Sequence, residues 1–512
     1  MRPSRFFGAF PFALRRAITD VERRIVARVS AKGRAELALS VLALALSAWT
    51  IAKLAHVAAL RVGYPFELEW MEGGTVDHVR RLLDGKRLYV EPTLDFVPYT
   101  YTPLYFYAGA LVSKVFGAGF FSLRLLTLAS AFSILALLYT LVYRESGRHL
   151  GGWVAAALFA ATYRSSGDWF DVCRVDCFAL ALAFGGIYVA RRGEGIASAA
   201  LAGVLFWAAF FAKQNALAIG VAASAGLAFL SMRRAAVALT VLTALVAAST
   251  VLMNRASGGW YSFYVFDVPR LHPWVDDRLK TYWTIDWLHD LPVLVVLAVA
   301  GFVVLDLVRG RRVFGFYLVV ACGTVMATWA VWCRSGSYDN ILMPAQAIGA
   351  LLAGMGATLA SPGDRGSSAV AMLAAALVQL GALDWDAKTQ VPSRHDEDMG
   401  RALLLQIRNE PGDVWIPSHG FLGTMAGKPA HAQLQAIYDV WLDPKVGAAL
   451  HEKVDAAIRE RRFAAIVTDS DGRFDGSLAG YDAVRSVFDG DGFWPMSGFG
   501  TRPERLWRPK AR

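Results

Sequence analysis

The sequence is poor in charged residues. Asp, Glu, Lys and Arg together make up 18% of its 512 residues, whereas a soluble globular protein carries about 25%. Hydrophobic residues make up 55% of the chain, and its mean hydropathy is +0.39. A surface with so few charges does not keep a chain of this size in water. A soluble globular fold is therefore excluded.

Cysteine is also scarce, with four residues in the chain. Four scattered cysteines do not form a disulfide framework. Cys173 and Cys177 have the spacing of metal ligands, but no His or further Cys lies near them, so they are better explained as small apolar residues at a helix start. The sequence has no glycine-rich phosphate loop, zinc signature or Ser-His-Asp arrangement. It indicates no certain cofactor and leaves open whether a divalent metal takes part.

Basic residues give the chain a net charge of +10 at pH 7. They lie in short turns between apolar runs, as in the cytoplasmic loops of membrane proteins, and no nucleic-acid-binding motif accompanies them. The apolar runs are about 17–22 residues long, which is the length that crosses a bilayer. The sequence therefore predicts a polytopic α-helical membrane protein and no nucleic-acid partner.

The same basic residues predict the topology. Residues 1–36 are rich in Arg, lack a cleavable signal pattern, and are predicted to be a cytoplasmic surface segment. The segment Pro103 to Gly119 decides the side of every later loop, because it is apolar but short and contains Lys114. All later basic turns face the cytoplasm if it lies along the outer interface and does not cross, so we predict an interfacial helix over 103–119. These turns are 144–149, 191–195, 232–234, 309–312 and 363–365.

We therefore predict about eleven transmembrane helices within residues 37–386. Residues 61–121 form the first outer loop in this topology, and the aromatic-rich segment 254–287 forms another. The predicted location is the bacterial inner membrane, with the N-terminus in the cytoplasm. The spans are predicted near 37–59, 122–143, 150–164, 177–190, 196–212, 216–231, 235–253, 288–308, 313–332, 341–359 and 368–386.

Beyond these spans, residues 387–512 have the pattern of a small extracytoplasmic α/β domain. Helices predicted at 396–409 and 444–461 alternate with strands at 414–417 and 464–469. This order indicates some parallel strand pairing.

Three residues of this domain are candidate ligands at strand ends, where ligands often bind: His419, His431 and Asp469. The sequence D-S-D-G-R-F-D (469–475) resembles a calcium loop only in part. It lacks the terminal Glu of such loops and is better explained as a plain turn.

Acidic residues follow the first predicted span in the sequence E-L-E-W-M-E (67–72). A carboxylate just beyond a membrane span is unfavourable unless it faces water, a cavity or a partner. Glu67, Glu69 and Glu72 are therefore candidate functional residues, with an ordinary solvated loop as the alternative. Glu69 and Glu72 are three positions apart, so in a helix they would share a face.

Further polar groups fall at the predicted outer ends of spans. Carboxylates beside cations at one membrane face suit transfer from a phosphate-bearing lipid, because a carboxylate can act as general base while Arg or Lys neutralises the leaving phosphate. Ion pairing between spans is the alternative for the acids, and snorkelling to the interface is the alternative for the lysine. The candidates are Asp168, Asp171, Arg174 and Asp176 in 167–176, Lys213, and the cavity candidates Tyr101, Tyr338 and Asn340.

The acids after the first span, L-L-D-G-K-R-L-Y (82–89) and Y-T-P-L-Y-F-Y-A-G-A-L-V (101–112) together resemble the GT-C glycosyltransferases. The resemblance covers roughly residues 37–350 and is strongest to the branch with protein mannosyltransferases and the aminoarabinose transferase of lipid A. It implies a polytopic enzyme that uses a polyprenyl-phosphate-linked sugar. It also implies a catalytic acid and a proline-led helix along the membrane in the first outer loop.

Two later motifs extend the resemblance. R-V-D (174–176) is similar to the second acidic position of the family, and Y-D-N-I-L-M-P (338–344) is similar to a later motif. The acidic pair of the family is usually Asp-Glu, whereas Met71 precedes Glu72 here. The catalytic base is therefore either Glu72 alone or Glu69. The second group, Asp171, Arg174, Asp176 and Lys213, is expected at the donor phosphate or a second acidic site.

The sequence thus predicts a glycosyltransferase that moves a hexosyl or pentosyl unit from a polyprenyl-phosphate donor to a glycan, lipid or protein acceptor on the outer face. One alternative is a transporter or flippase of a lipid-linked saccharide, which would place ionisable residues near the bilayer midplane and often has inverted repeats. Another is an oligosaccharide ligase or polymerase. Neither the sugar nor the acceptor follows from the sequence.

Overall fold

The computed structural model describes residues 31–358, 366–469, 478–488, 497–498 and 500–511. Residues 1–30 of the predicted basic segment, the basic turn at 363–365, and residues 470–475 of the calcium-like turn lie outside the described residues. All statements about the structure below concern the described part of the chain.

A helix lies at every predicted span within the described residues. Two further helices, α2 and α3, belong to the first outer loop. The helices are α1 (Ala31–Arg61), α2 (Glu72–Leu83), α3 (Leu104–Phe116), α4 (Phe120–Ser146), α5 (His149–Ala161), α6 (Asp176–Arg192), α7 (Gly195–Ala212), α8 (Ala216–Gly226), α9 (Met232–Ser257), α10 (Pro292–Arg309), α11 (Arg311–Trp332), α12 (Met343–Gly356) and α13 (Gly366–Ala382).

By length and composition, six of the described helices can cross a membrane, or seven if the bent pair 370–382 and 387–409 counts as one span. The other predicted spans are shorter helices, such as α5 with 13 residues, packed among the long ones. A glycine separates α4 from α5. Gly147 follows the last residue of α4 and has a φ of 74°, a left-handed conformation that other residues adopt less readily. The chain is a multi-pass membrane protein.

Four of the predicted basic turns meet at one end of the helix bundle. Glu145, near the end of α4, is buried and pairs with Arg191 at 2.6 Å and with Arg309 at 3.3 Å. Arg234, after the third turn, donates to the backbone carbonyl of Ala190 at 2.6 Å. The turns 144–149, 191–195, 232–234 and 309–312 therefore share one side, as the charge pattern predicted.

The first outer loop begins and ends at the other end of the helix bundle, away from these basic turns. Arg124, in the first turns of α4, donates to the backbone carbonyl of Arg61 at the end of α1 (3.3 Å) and to that of Tyr64 (2.6 Å). The chain between Arg61 and Arg124 therefore returns to the side it left, so α3 does not carry it across. On α3, Tyr105 and Phe106 are buried whereas Leu111 is exposed. This agrees with the predicted interfacial helix over 103–119.

The predicted aromatic loop 254–287 is a chain of short helical segments that packs on the first outer loop. The Tyr264 hydroxyl donates to the backbone carbonyl of Val90 at 3.1 Å, and the Tyr261 ring meets the Tyr89 ring edge-on at 5.1 Å. The segments are Trp260–Ser262, Phe263–Asp267, Val268–Leu271, Asp276–Thr281 and Tyr282–Trp287, of which Phe263–Asp267 and Tyr282–Trp287 are π-helical.

The C-terminal part is the predicted small α/β domain. Its sheet has the order β1-β2-β4-β3, with β1 and β2 parallel and the other pairs antiparallel. The parallel pairing was predicted, whereas β3, β4 and the helices α15 and α16 were not. The elements are α14 (Arg394–Asn409), β1 (Val414–Trp415), α15 (Gly420–Met425), α16 (Leu434–Trp441), α17 (Val446–Arg459), β2 (Ala465–Asp469), β3 (Tyr481–Ser486) and β4 (Pro503–Pro509).

β1 is shorter than the predicted strand 414–417. Pro417 has no backbone N–H to donate to a ladder, and a helical turn Pro417–His419 begins there instead. The chain therefore leaves the sheet two residues before the predicted strand end. His419 of this turn contacts Glu67 of the first outer loop.

The α/β domain packs on the first outer loop through backbone hydrogen bonds and a shared apolar cluster. The backbone N–H of Ser497 donates to the carbonyl of Leu68 at 2.7 Å, and that of Ala432 donates to the carbonyl of Leu94 at 2.9 Å. One buried cluster contains residues of the loop, of the segment 261–265 and of the domain, among them Trp70, Tyr99, Tyr264, Trp415 and Ile437. These contacts enclose the candidate site.

Candidate functional site

A cavity of about 650 Å³ lies where the first outer loop, the bundle and the α/β domain meet. Six sequence-predicted residues line it, namely Glu69, Tyr101, Arg174, Lys213, Tyr338 and Asn340. The other lining residues are Trp70, Met71, Tyr99, Thr100, Trp169, Gln214, Asn215, Val265, Phe266, Pro269, Arg270, His272, Ala330, Val331, Arg334, Ser335, Gly336, Ser337, Ile341, Gln435 and Asp439.

Glu69 is the first-loop acid of this cavity. It lies just before α2, and its carbonyl accepts the backbone N–H of Glu72 at 2.9 Å. Its Oε2 is 3.6 Å from Nη1 of Arg174, and neither carboxylate oxygen accepts a hydrogen bond of ordinary geometry from the described residues. Burial raises the pKa of Glu69 to about 8, although Arg174 opposes the shift. A carboxylate in this state can accept a proton near neutral pH.

Glu72 has a different environment. Arg124 donates to its carboxylate from Nε (2.9 Å) and Nη2 (2.6 Å). The backbone N–H groups of Leu68 (2.6 Å) and Cys173 (2.7 Å) also donate to this carboxylate. Both of its oxygens are occupied, and it does not line the cavity. α2 begins at Glu72 itself, so Glu69 and Glu72 do not share a helix face as the spacing suggested. Through Arg124, Glu72 holds the first outer loop against α4.

The sequence W-M-E-G-G (70–74) lets an aromatic residue pack against α2. A Cβ on Gly74 would lie 1.9 Å from the Tyr99 hydroxyl oxygen, so only glycine fits there without a shift. The Tyr99 hydroxyl donates to the carbonyl of Met71 at 3.0 Å. This close approach brings the segment 99–101 alongside Glu69.

His78 holds the same segment through its imidazole ring. The backbone N–H of Tyr99 donates to Nε2 of His78 at 2.8 Å, so the ring proton is on Nδ1, which donates to the carbonyl of Gly74 at 2.6 Å. Burial lowers the pKa of His78 to about 4. The imidazole is therefore neutral and acts as a structural connector.

Arg174 lies between Glu69 and two aromatic rings. Its Nη2 donates to the Tyr101 hydroxyl at 2.7 Å, and its guanidinium carbon is 5.2 Å from the ring centre of Trp169. Its Nε and Nη1 donate no hydrogen bond within the described residues, and Nη1 has only the 3.6 Å ionic contact with Glu69. Buried donors that make no hydrogen bond are unfavourable unless a ligand accepts from them. Arg174 is thus suited to an anion in the cavity.

Lys213 is the second cation of the cavity. It follows the last residue of α7, its ammonium group donates to Oδ1 of Asp176, and its exposed fraction is 9%. Asn340 also donates to Oδ1 (2.8 Å), and the Trp169 indole donates to Oδ2 (2.9 Å). Lys213 therefore faces the cavity and not lipid, so the snorkelling alternative does not describe it. Lys213 and Arg174 line one cavity, as predicted.

Asp171 and Asp168 lie outside the cavity. Oδ2 of Asp171 is 3.0 Å from Nε of Arg61, and Oδ1 accepts the Tyr163 hydroxyl at 3.1 Å. Asp168 pairs with Arg164. For Asp171, ion pairing between segments describes the structure better than a role at the cavity, and Asp168 forms its ion pair within its own segment.

Tyr338 enters the cavity beside Trp169, with ring centres 5.4 Å apart. Gly167 makes room for it, because its φ is 72° and a Cβ there would lie 2.4 Å from a Tyr338 ring carbon. The sequence G-D-W (167–169) thus shapes one wall of the cavity.

Glu67 belongs to a second buried polar cluster. Nδ1 of His419 contacts Oε2 of Glu67, Nε2 of His419 is 3.3 Å from Oδ2 of Asp469, and the Thr501 hydroxyl donates to Asp469. Burial alone would lower the pKa of His419, but Asp469 and Glu67 raise it to about 10. The histidine predicted at a strand end therefore ties the α/β domain to the first loop. His431 lies 2.8 Å from Asp413 of the domain and 3.2 Å from Asp95 of the first outer loop.

Several residues of the site were not singled out in the sequence. Arg61 and Arg124 carry a recognisable signal, because each interrupts or ends an apolar run at a membrane span. Residues such as His272, Arg334, Gln435 and Asp439 carry none, since they come from segments far apart in the chain. No group of three or more His, Cys, Asp or Glu within the described ranges is arranged to hold a metal ion.

No protein-family model matches the sequence. No curated protein matches it either. Solved structures do match: ArnT from Cupriavidus metallidurans bound to undecaprenyl phosphate has a TM-score of 0.58 at 12% identity and covers 91% of this chain and 98% of its own. The archaeal oligosaccharyltransferase AglB from Archaeoglobus fulgidus, in complex with an inhibitory peptide and a dolichol-phosphate, has a TM-score of 0.51 at 13% identity, with coverages of 87% and 70%. This chain therefore has the fold of the GT-C glycosyltransferases, as its sequence resemblance implied.

Proposed function

We propose that the protein is a membrane glycosyltransferase that transfers a sugar from a polyprenyl-phosphate-linked donor to an acceptor hydroxyl on a glycan, lipid or protein. The observation that carries the proposal is the cavity itself, in which the Glu69 carboxylate lies 3.6 Å from Arg174 and which Lys213 also lines. The shared fold supports it, because ArnT and AglB were both solved with a polyprenyl-type phosphate.

In this reaction Glu69 acts as the general base. It removes the proton of the acceptor hydroxyl, whose oxygen attacks the anomeric carbon of the donor sugar. The bond between that carbon and the phosphate oxygen breaks, and its electron pair leaves with the lipid phosphate. Arg174 and Lys213 neutralise this phosphate, with Nε and Nη1 of Arg174 as donors. The acceptor proton stays on Glu69 until solvent removes it.

The direct test is transfer by the purified full-length protein in nanodiscs, offered a panel of undecaprenyl-phosphate-linked sugars. We expect at least one donor to release undecaprenyl phosphate and to glycosylate an added acceptor. Release from no donor, together with movement of a lipid-linked saccharide across liposome membranes, would identify a flippase instead.

Lys213→Ala is expected to weaken binding of undecaprenyl phosphate about 10–100-fold, because a hydrogen bond to a charged group contributes about 1.5–3 kcal/mol. The variant also leaves Asp176 without its ammonium partner, and this negative charge would repel the phosphate. Binding is measured by titration of undecaprenyl phosphate into the protein in nanodiscs. Lys114→Ala is the control, since Lys114 is exposed and does not line the cavity. Equal affinity in the Lys213→Ala and Lys114→Ala variants would remove Lys213 from the donor site.

The proposal includes an orientation in the bacterial inner membrane, with the basic turns in the cytoplasm and with the cavity and residues 387–512 outside. In a background with all native cysteines replaced, a membrane-impermeant maleimide added to intact cells is expected to label His289→Cys but not Arg148→Cys. Both side chains are exposed. His289 precedes the start of α10, whereas Arg148 follows the end of α4, where Glu145 pairs with Arg309 at the end of α10. Labelling of Arg148→Cys alone would invert the proposed topology.

A further inference from the structure

The α/β domain contributes one polar wall to the cavity, the α16 wall, formed by Gln435 and Asp439. Gln435 and Asp439 lie one turn apart on α16, and Nε2 of Gln435 donates to Oδ1 of Asp439 at 2.6 Å. Across the cavity rim, Nε2 of His272 lies 3.5 Å from the same oxygen. Because both contacts use Oδ1, Oδ2 of Asp439 remains available to accept a hydrogen bond from a ligand.

This wall is held in a fixed position relative to Glu69. Gln433, immediately before α16, donates from its side chain to the carbonyl of Ser418 at 3.2 Å and to that of Trp70 at 3.5 Å. Trp70 is the next residue after Glu69 in the chain. The polar groups of α16 are therefore positioned before a ligand arrives, which lowers the entropic penalty of binding.

The two ends of the cavity differ in chemistry. Arg174 and Lys213 suit a phosphate, whereas the carboxylate of Asp439 would repel one. A carboxylate, an amide and an imidazole accept from and donate to hydroxyl groups. The aromatic residues Trp70, Tyr101, Trp169 and Tyr338 also line the cavity, and aromatic rings offer apolar surfaces to the C–H face of a sugar.

Tyr101 connects the two ends. Burial raises its pKa to about 12, and among the charges that add to the shift are Asp176, Asp439 and Glu69. Tyr101, Asp439 and Glu69 line the same cavity. A sugar held against the α16 wall would thus be within the same chamber as the proposed base.

We propose that Gln435, Asp439 and His272 form a saccharide subsite that binds the hydroxyl groups of a neutral sugar beside Glu69. The inference rests on the proposed glycosyl transfer for the role of that sugar. The sugar could come from either of two sources, the donor head group or an acceptor glycan.

Saccharide binding is tested first and without turnover. Saturation-transfer NMR on the full-length protein in nanodiscs is run with a panel of neutral methyl glycosides. We expect at least one glycoside to bind the wild type and to bind Asp439→Ala and Gln435→Ala about tenfold more weakly. Asp455→Ala is the matched control, because this acid lies on α17 and does not line the cavity. Absence of binding to the wild type, or equal binding by all variants, would overturn the proposal.

Measurements of acceptor kinetics and of donor binding then identify the source of the sugar, with Asp439→Asn as the conservative variant. A raised KM for the acceptor with little change in kcat assigns the subsite to the acceptor. Weaker binding of the sugar-linked donor, with binding of undecaprenyl phosphate alone unchanged, assigns it to the donor sugar. The latter measurement also reports that the variant is folded.

Failure of this inference and failure of the proposed function give different results. If the wild type transfers no sugar but still binds glycosides through Asp439, the proposed function fails and the saccharide site stands. If the wild type transfers a sugar and Asp439→Asn matches it in both kinetics and glycoside binding, the saccharide site fails and the proposed function stands.

Discussion

Glu69→Gln is expected to lower the rate of sugar transfer by about 10²–10⁴-fold, which is the typical contribution of a general base. Glutamine keeps the size and the hydrogen-bonding capacity of the side chain but does not accept the acceptor proton. Arg174 and Lys213 remain in place, so binding of undecaprenyl phosphate should persist. The measurements are kcat with the active donor and the Kd for undecaprenyl phosphate.

Glu91→Gln is the matched control, since Glu91 is an exposed acid of the same loop that pairs with Lys453 at 2.8 Å. Its transfer rate should equal that of the wild type. Near-normal turnover in Glu69→Gln would remove Glu69 as the base. Asp176 would then be the next candidate, because its partners Lys213 and Asn340 line the cavity, whereas Asp171 lies away from it.

The raised pKa of Glu69 predicts the pH profile of the wild type. The base works only when deprotonated, and burial holds its pKa at about 8 in the free protein. kcat/KM should therefore fall about tenfold per pH unit as the pH drops below about 8 and level off above it. A profile that stays flat between about pH 6 and 9 would contradict this assignment.

Arg124→Met is expected to lower the free energy of unfolding by about 3–5 kcal/mol, because it leaves a buried carboxylate unpaired. Glu72 and Arg124 are both fully buried, with side-chain exposures of 0% and 0%. Arg124 also donates to the backbone carbonyls of Tyr64 and Phe66 at 2.6 Å and 2.5 Å. Lysine should not rescue the variant, since an ammonium group lacks the planar fork that reaches these acceptors together. The measurement is thermal unfolding in detergent, with the yield of folded protein.

A double variant separates the ion pair from the carbonyl contacts. Arg124→Met with Glu72→Gln should be less destabilised than Arg124→Met alone, because no unpaired charge remains buried. Lys114→Met is the control for removing an exposed cation and should unfold like the wild type. If Arg124→Met also unfolds like the wild type, Arg124 does not hold the first loop onto α4.

Local patterns predicted most of the fold. Hydrophobic runs predicted a helix at each span, and the basic turns predicted that 103–119 stays on one side of the bundle. Both patterns can be read from short stretches of sequence, because the thickness of the bilayer sets the length of an apolar helix and basic residues next to it set its orientation. The same reasoning brought Glu69, Arg174 and Lys213 to one end of the bundle. The two antiparallel strands β3 and β4 were missed, because their sequences, Y-D-A-V-R-S and P-E-R-L-W-R-P, contain few apolar residues and β3 is exposed over most of its length.

The sequence alone determined that this is a polytopic membrane protein with acids and cations gathered at one end of its helices. Only the tertiary structure decided which acid faces the cavity. Glu69 and Glu72 are alike in sequence, but Arg124, 52 residues after Glu72, occupies one of them and leaves the other facing the cavity. The α16 wall likewise depends on the α/β domain folding back onto the first loop. A local pattern specifies burial and helix periodicity, whereas the partner of a buried charge is set by the packing of segments that are distant in the chain.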